Sequence, residues 1–157
     1  MQQASAVHST FVLDRSFPKA PDKVFAAFAD ATKKRRWFAE GEGHKIEEYA
    51  MDFRLGGTER LRYRMSEGTP IAGMYITNEG RFQDIAPNQR IVTASTMDLN
   101  DKRISASLIT FEFLGSRQGT DLVCTHQGTY IEWPDGPKMI EAGWRGLLDS
   151  LAAEMTR

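Results

Sequence analysis

Cysteine and histidine are scarce in this chain of 157 residues, with one Cys and three His. The single Cys124 excludes an internal disulfide. It shares a strand-like run with His126, but the other imidazoles are His8, near the amino terminus, and His44, beside a loop. That scatter weighs against a zinc set of three or four ligands, and no metal is expected. Long apolar runs are missing too: nothing approaches the ~20 residues of a membrane span. The opening Met1–Ala6 lacks a charged segment followed by an apolar one, so it does not read as a secretory signal, and a cytoplasmic location is expected. Charge of one sign is also absent. Twenty basic and twenty-one acidic residues leave a formal charge of -1, which favours neither nucleic acid nor an anionic membrane as partner. The one basic cluster, Lys33–Arg36, reads as a solvated helix face. There is no phosphate-cradling glycine loop with lysine, no dinucleotide fingerprint, no serine elbow and no zinc-binding helix, so no cofactor is expected.

Ordinary proportions of hydrophobic (41%) and charged (26%) residues fit a globular chain. The length predicts one domain over residues 1–157, with an ordered core from about 8 to 156. The strongest local pattern is the last. From Asp135 to Met155, Ile140, Gly143, Trp144, Leu147, Leu148, Leu151 and Met155 recur at helical spacing, while Lys138, Glu141, Arg145, Asp149 and Glu154 occupy the rest of the cylinder. Asp135 or Gly136 can cap the start, and Pro137 suits the first helical position. Such an amphipathic helix needs an apolar surface to lie on.

The preceding chain supplies strands. Thr10–Phe17 alternates with Phe11, Leu13 and Phe17 on one side, and Pro18 closes it. Pro21 opens a short helix to Ala29 with Val24, Phe25 and Phe28 on one ridge, and Asp30 caps a second helical piece, Ala31 to Trp37. The pair Trp37-Phe38 is either a plug for the core or the rim of a site. The period then turns strand-like over Lys45–Asp52, Thr58–Met65, Ile71–Asp84, Gln89–Met97, Arg103–Leu114 and Asp121–Tyr130. In the second of these Leu61, Tyr63 and Met65 point inward, because Arg60, Arg62 and Arg64 go to water. Short turns imply antiparallel neighbours. The expected architecture is α+β: a seven-stranded curved antiparallel sheet wrapped around the long C-terminal helix, with two short helices after strand 1, the helix-grip fold.

Local motifs in the same order carry a resemblance. Arg15-x-Phe17-x-x-Ala20-Pro21-x-x-Val24-Phe25-x-Ala27-Phe28-x-Asp30 is followed by Trp37-Phe38, Leu55-Gly56-Gly57 and Gly80-x-Phe82-x-Asp84-Ile85-x-Pro87. Gly119-Thr120-x-Leu122-x-x-Thr125-His126-x-Gly128 and Gly143-Trp144 complete the set. Together they resemble homologues of the activator of the heat-shock protein 90 ATPase, within the START-like, birch-allergen-like superfamily also called SRPBCC. The resemblance runs from about Val12 to Met155 and implies the helix-grip fold and a cavity between sheet and long helix. The eukaryotic co-chaperone behind the name makes much of its chaperone contact through a second domain that 157 residues do not accommodate, so a chaperone partner is not expected.

Six rings, Trp37, Tyr63, Phe82, Phe111, Tyr130 and Trp144, are predicted to converge beneath the last helix, with Met74, His126 and Leu148 beside them. They either fill that space or line it, and Gly80, Gly128 and Gly143 remove volume among them. A lined cavity predicts the binding or carriage of a hydrophobic small molecule such as a lipid, a polyketide or another aromatic, with Tyr63, Tyr130 and His126 as polar anchors. His126 is either a core imidazole or such an anchor. Glu59 and Glu79 read as solvated cross-strand partners, and Cys124 as a buried, inert thiol, so no catalytic residue is assigned. The alternatives are a cyclase, dehydratase or hydrolase using general acid–base residues in the same cavity, and a chaperone-regulating interaction module. A homodimer is allowed, although the arginine-bearing face argues against a greasy sheet-to-sheet contact.

Overall fold

A computed structural model of the chain describes residue 2 and residues 4–157. Seven strands form one antiparallel sheet in the order β1-β7-β6-β5-β4-β3-β2. They are β1 (Ala6–Phe17), β2 (His44–Met51), β3 (Thr58–Met65), β4 (Tyr75–Ala86), β5 (Arg90–Leu99), β6 (Lys102–Ser116) and β7 (Gly119–Ile131). Strands β2 to β7 follow one another as a meander, joined by tight turns from β4 onward and by longer connections over residues 52–57 and 66–74. The helical segment after β1 carries the chain across to the opposite edge, so β1 closes on β7 instead of β2. Bulges at Ile46/Glu48, Phe82/Asp84 and Met97/Asp98 interrupt the ladders; such insertions bend a strand and increase its twist. The sheet is therefore curved, and α3 (Gly136–Glu154) lies in its concave side, burying Trp144, Leu148 and Leu151. Among the described residues no helix is long and apolar enough to cross a membrane.

The helical crossover is built from local chemistry. α1 (Pro21–Ala29) begins with Pro21 in the first turn, where its missing N–H leaves no gap, and buries Val24, Phe25, Ala27 and Phe28. Asp30, in extended conformation, breaks the helix and caps the next: its Oδ1 accepts from the backbone N–H of Thr32 at 2.9 Å and of Lys33 at 3.1 Å. The expected helix from Ala31 to Trp37 divides. α2 covers Ala31–Lys34, and Arg35–Ala39 is a π-helical turn, closed by Glu40 N–H donating to the Arg35 carbonyl at 2.9 Å. One extra residue per turn swings Trp37 into the core, where its indole N–H donates to the Ala27 carbonyl at 2.8 Å. Arg36 grips Glu154 through two bonds of 2.9 and 2.7 Å, tying this turn to the far end of α3.

One strand expectation shifts. The segment predicted from Ile71 begins as a strand only at Tyr75: Gly68 and Gly73 have positive φ, and turns fill the chain between them. The outer face of β3 carries arginines as expected. Arg60 spans Glu48 (3.2 Å) and Glu79 (2.9 Å), and Arg62 stacks 3.8 Å from the Tyr75 ring. Glu79 is thus a solvated cross-strand partner, as its alternation implied.

Candidate functional site

A cavity of about 780 Å³ lies between the concave face of the sheet and α3. It follows from side-chain size along the inward rows. In β6 that row runs Phe113, Phe111, Ile109, Ser107, Ser105; in β5 it runs Ile91, Thr93, Ser95; in β4 it runs Phe82, Gly80, Asn78. At the large end the rings interlock, with Phe28 at 4.9 Å from Trp37, 4.9 Å from Phe111 and 5.1 Å from Phe113. The β5 and β4 rows continue to Met97 and Ile76, which line the cavity with the short side chains before them, so the interior is solid around Phe28 and Phe113 and hollow beyond. Ile71, Trp133 and Met139, from the segments outside the sheet and the start of α3, also line it, as do Lys102 and Glu132, an exposed pair 3.1 Å apart.

Of the nine residues singled out from the sequence, Tyr63, Phe111, His126 and Trp144 line this cavity. The other five do not, for separable reasons. Trp37 and Leu148, each 1% exposed, and Phe82, 2% exposed, belong to the solid half of the core. Tyr130 is wholly buried but packs under the start of α3. Its ring lies 5.9 Å from Trp133, and a Cβ on Gly128 would come within 2.8 Å of it. Met74 falls in the turns before β4 and is exposed. The pair Trp37-Phe38 divides: Trp37 plugs the core, and Phe38 lines the hollow beside Trp144 at 6.1 Å. The three glycines divide as well. Added Cβ atoms at Gly80 and Gly128 meet Thr93 and Tyr130 at 2.9 and 2.8 Å, whereas one at Gly143 meets nothing within 4 Å.

The polar groups hold two corrections. Lys34, expected on a solvated helix face, and Glu59, expected in a solvated pair, are 5% and 7% exposed and meet inside, Nζ to Oε1 at 3.1 Å. The Tyr49 hydroxyl donates to the other carboxylate oxygen at 2.7 Å. Burial, and next the Glu59 charge, push the Tyr49 phenol far above its ordinary range. Both ends of the ion pair line the cavity, and the ammonium sits 4.5 Å from the Phe38 ring centre. Strand parity contained the signal for Glu59, which lies two residues before inward Leu61; for Lys34 the signal was its spacing of four from Phe38.

His126 is stacked on Phe11 with ring centres 4.7 Å apart, and its Nδ1 has no hydrogen-bond partner among the described residues. Burial pushes the imidazole down to about 4, so it is neutral at physiological pH. Tyr63 is raised by burial and packs against His44 at 4.5 Å. Cys124 is fully buried, and burial pushes its thiol up to about 12, which leaves no thiolate for attack. Among the described residues no three His, Cys, Asp or Glu side chains gather as a metal site requires.

The description "Activator of Hsp90 ATPase homolog 1-like protein" belongs to the family profile that matches residues 19–156. A Rhizobium loti protein of known structure is 44% identical, with 96% of this chain and 99% of that one covered at a TM-score of 0.85. An uncharacterised Rhizobium leguminosarum protein is 34% identical, covering 98% and 97%, at 0.89. The AHSA1 protein of Silicibacter pomeroyi is 25% identical, covering 94% and 98%, at 0.76. No curated protein matches this chain significantly. With a profile spanning nearly its whole length and the helix-grip fold in common, the chain belongs to the Activator of Hsp90 ATPase homolog 1-like family, within the START-like superfamily.

Proposed function

We propose that this protein binds or carries a hydrophobic small molecule in the hollow beneath α3. The observation that carries this reading is the hollow itself: about 780 Å³, within the roughly 300–1,000 Å³ typical of ligand pockets, with a wall that is mainly apolar and includes Phe38, Ile109, Phe111, Trp144 and Leu147. A well-packed core leaves few voids larger than a water molecule, so an opening of this size stands apart from ordinary packing. Carriage is favoured over catalysis because the one buried carboxylate in the lining, Glu59, already accepts on both oxygens, from Lys34 and from Tyr49. Among the described residues His126 has no partner on Nδ1 to fix its tautomer, and Cys124 is sealed behind the core. An interaction module acting through the outer face would have no use for such a space.

The test is a fluorescence titration with N-phenylnaphthylamine, a neutral apolar probe, alongside native mass spectrometry of the purified protein. Saturable binding of one probe per chain is the expected result. A signal that rises linearly without saturating, with no retained small molecule in the mass spectrum, sinks the proposal.

A further inference from the structure

The two edges of the sheet are unlike, and from that difference we propose that a second copy of this chain pairs with the first through β1, antiparallel and in one register. The sheet would then run on unbroken from one copy into the other, whatever the hollow holds. Its edges are β1 and β2. An edge strand presents a row of unpaired N–H and C=O groups that recruits another strand unless charges, bulges or proline blunt it. β2 is blunted. Its eight residues include Lys45, Glu47 and Glu48, and its ladder is broken by the bulge at Ile46/Glu48. β1 has none of these devices over most of its length. Its ladder with β7 runs without a break from Ala6 to Phe17, it contains no proline, and no Lys, Arg, Asp or Glu occurs from Ala6 to Leu13. Val12, on its outer face, is 56% exposed.

The register follows from which backbone groups point outward. The Glu132 N–H donates to the Ser5 carbonyl at 2.8 Å, so these residues form a hydrogen-bonded pair at the end of the β1–β7 ladder. Alternation along an antiparallel ladder then turns the backbone groups of Ala6, His8, Thr10, Val12, Asp14 and Ser16 away from β7. Among the described residues no other backbone group bonds them. A two-fold axis at Phe11 sets these six residues against each other with none left over within β1. Ala6 faces the partner's Ser16, His8 faces the partner's Asp14, and Thr10 faces the partner's Val12, each pair exchanging two backbone bonds. Charge selects the same register. The axis sets an imidazole opposite a carboxylate on each side, whereas centring on Asp14 or Arg15 would set like charges face to face. Val12 gains a β-branched neighbour across the ladder. Because β2 is blunted, the assembly closes at two copies instead of growing into a fibre.

Sedimentation velocity of the full chain at about 50 μM tests the pairing, a concentration that populates a dimer of micromolar affinity. Wild type is expected to sediment at twice the chain mass. Thr10→Pro deletes one outward N–H and crowds the edge while leaving the ladder to β7 its bonds, so it is expected to sediment as a monomer with the circular dichroism of wild type. Asp14→Lys should weaken dimerisation at least about tenfold, and His8→Asp added to it should restore most of that loss by exchanging the two charges. Amide exchange by NMR reads the register in wild type itself. The N–H groups of His8, Thr10, Val12 and Asp14 should exchange more slowly as the concentration rises, while those of β2 do not respond. A wild-type monomer at this concentration overturns the proposal, as does a folded Thr10→Pro variant that stays dimeric. Absence of rescue by the charge exchange removes the register. Should Thr10→Pro not fold, the wild-type exchange decides: amides on the outer edge of β1 that exchange equally fast at every concentration overturn the pairing even if a dimer sediments.

Discussion

Gly143 offers the sharpest separation of ligand binding from folding. It sits inside α3, lines the cavity, and a Cβ built on it meets nothing within 4 Å. Most substitutions that block a pocket also damage the core, which confounds the loss of binding. Gly143→Leu should instead stabilise the fold. Replacing an interior helical glycine by leucine is worth about 0.8 kcal/mol in helix propensity. Four added carbons, half covered by the cavity walls at ~0.8 kcal/mol per buried methylene, contribute about 1.5 kcal/mol more. The sum is about 2 kcal/mol, which for a chain of this length corresponds to a rise in Tm of about 4–8 °C. Circular dichroism melts give the stability, and the N-phenylnaphthylamine titration gives the affinity. The expected pairing is a higher Tm with probe affinity reduced at least about tenfold, since the new side chain occupies the space under α3. Two results refute the reasoning. A lower Tm would mean that the hollow beneath residue 143 is filled in solution. An unchanged affinity with a raised Tm would place the probe somewhere other than between α3 and the sheet.

The remaining predictions concern single groups. His126 has a folded-state pKa of about 4 against an ordinary 6.5, so the unfolded chain binds more protons between those values. Its contribution to stability is full above pH 6.5 and is lost as pH falls toward 4, about 2.5 kcal/mol of it by pH 4.5. Urea midpoints at pH 7 and 4.5 should therefore differ less in His126→Phe than in wild type, and equal pH dependence in the two proteins would contradict the assignment. The Tyr130 hydroxyl is buried without a partner among the described residues, so Tyr130→Phe should be neutral or stabilising by about 1 kcal/mol in the same assay, and a loss above that would reveal a hidden bond. Cys124 should resist a thiol reagent such as dithionitrobenzoate in the native protein and react at once in denaturant; rapid native labelling would show that the β7 row opens.

The one-dimensional pattern determined the architecture because both of its signals are local. Period-two alternation set the strands and their inward faces, helical spacing from Ile140 to Met155 set α3, and Asp30 and Pro21 marked helix starts through chemistry that acts within four residues. It also marked Tyr63, Phe111, His126 and Trp144 as inward-facing. What it left undecided was which inward residues meet a neighbour across the interior and which meet a void. Phe82 and Phe111 are equivalent in alternation, yet one is enclosed in the solid half and the other stands at the boundary, because register and bulges place them differently along a curved sheet. Lys34 and Glu59 looked solvated for the same reason. A charge run and an alternating strand are each ordinary on a surface, and only the meeting of the last residue of α2 with the start of β3 brings the two inside as a pair. Pairing of that kind depends on residues 25 apart in sequence meeting in space, and no local period encodes it.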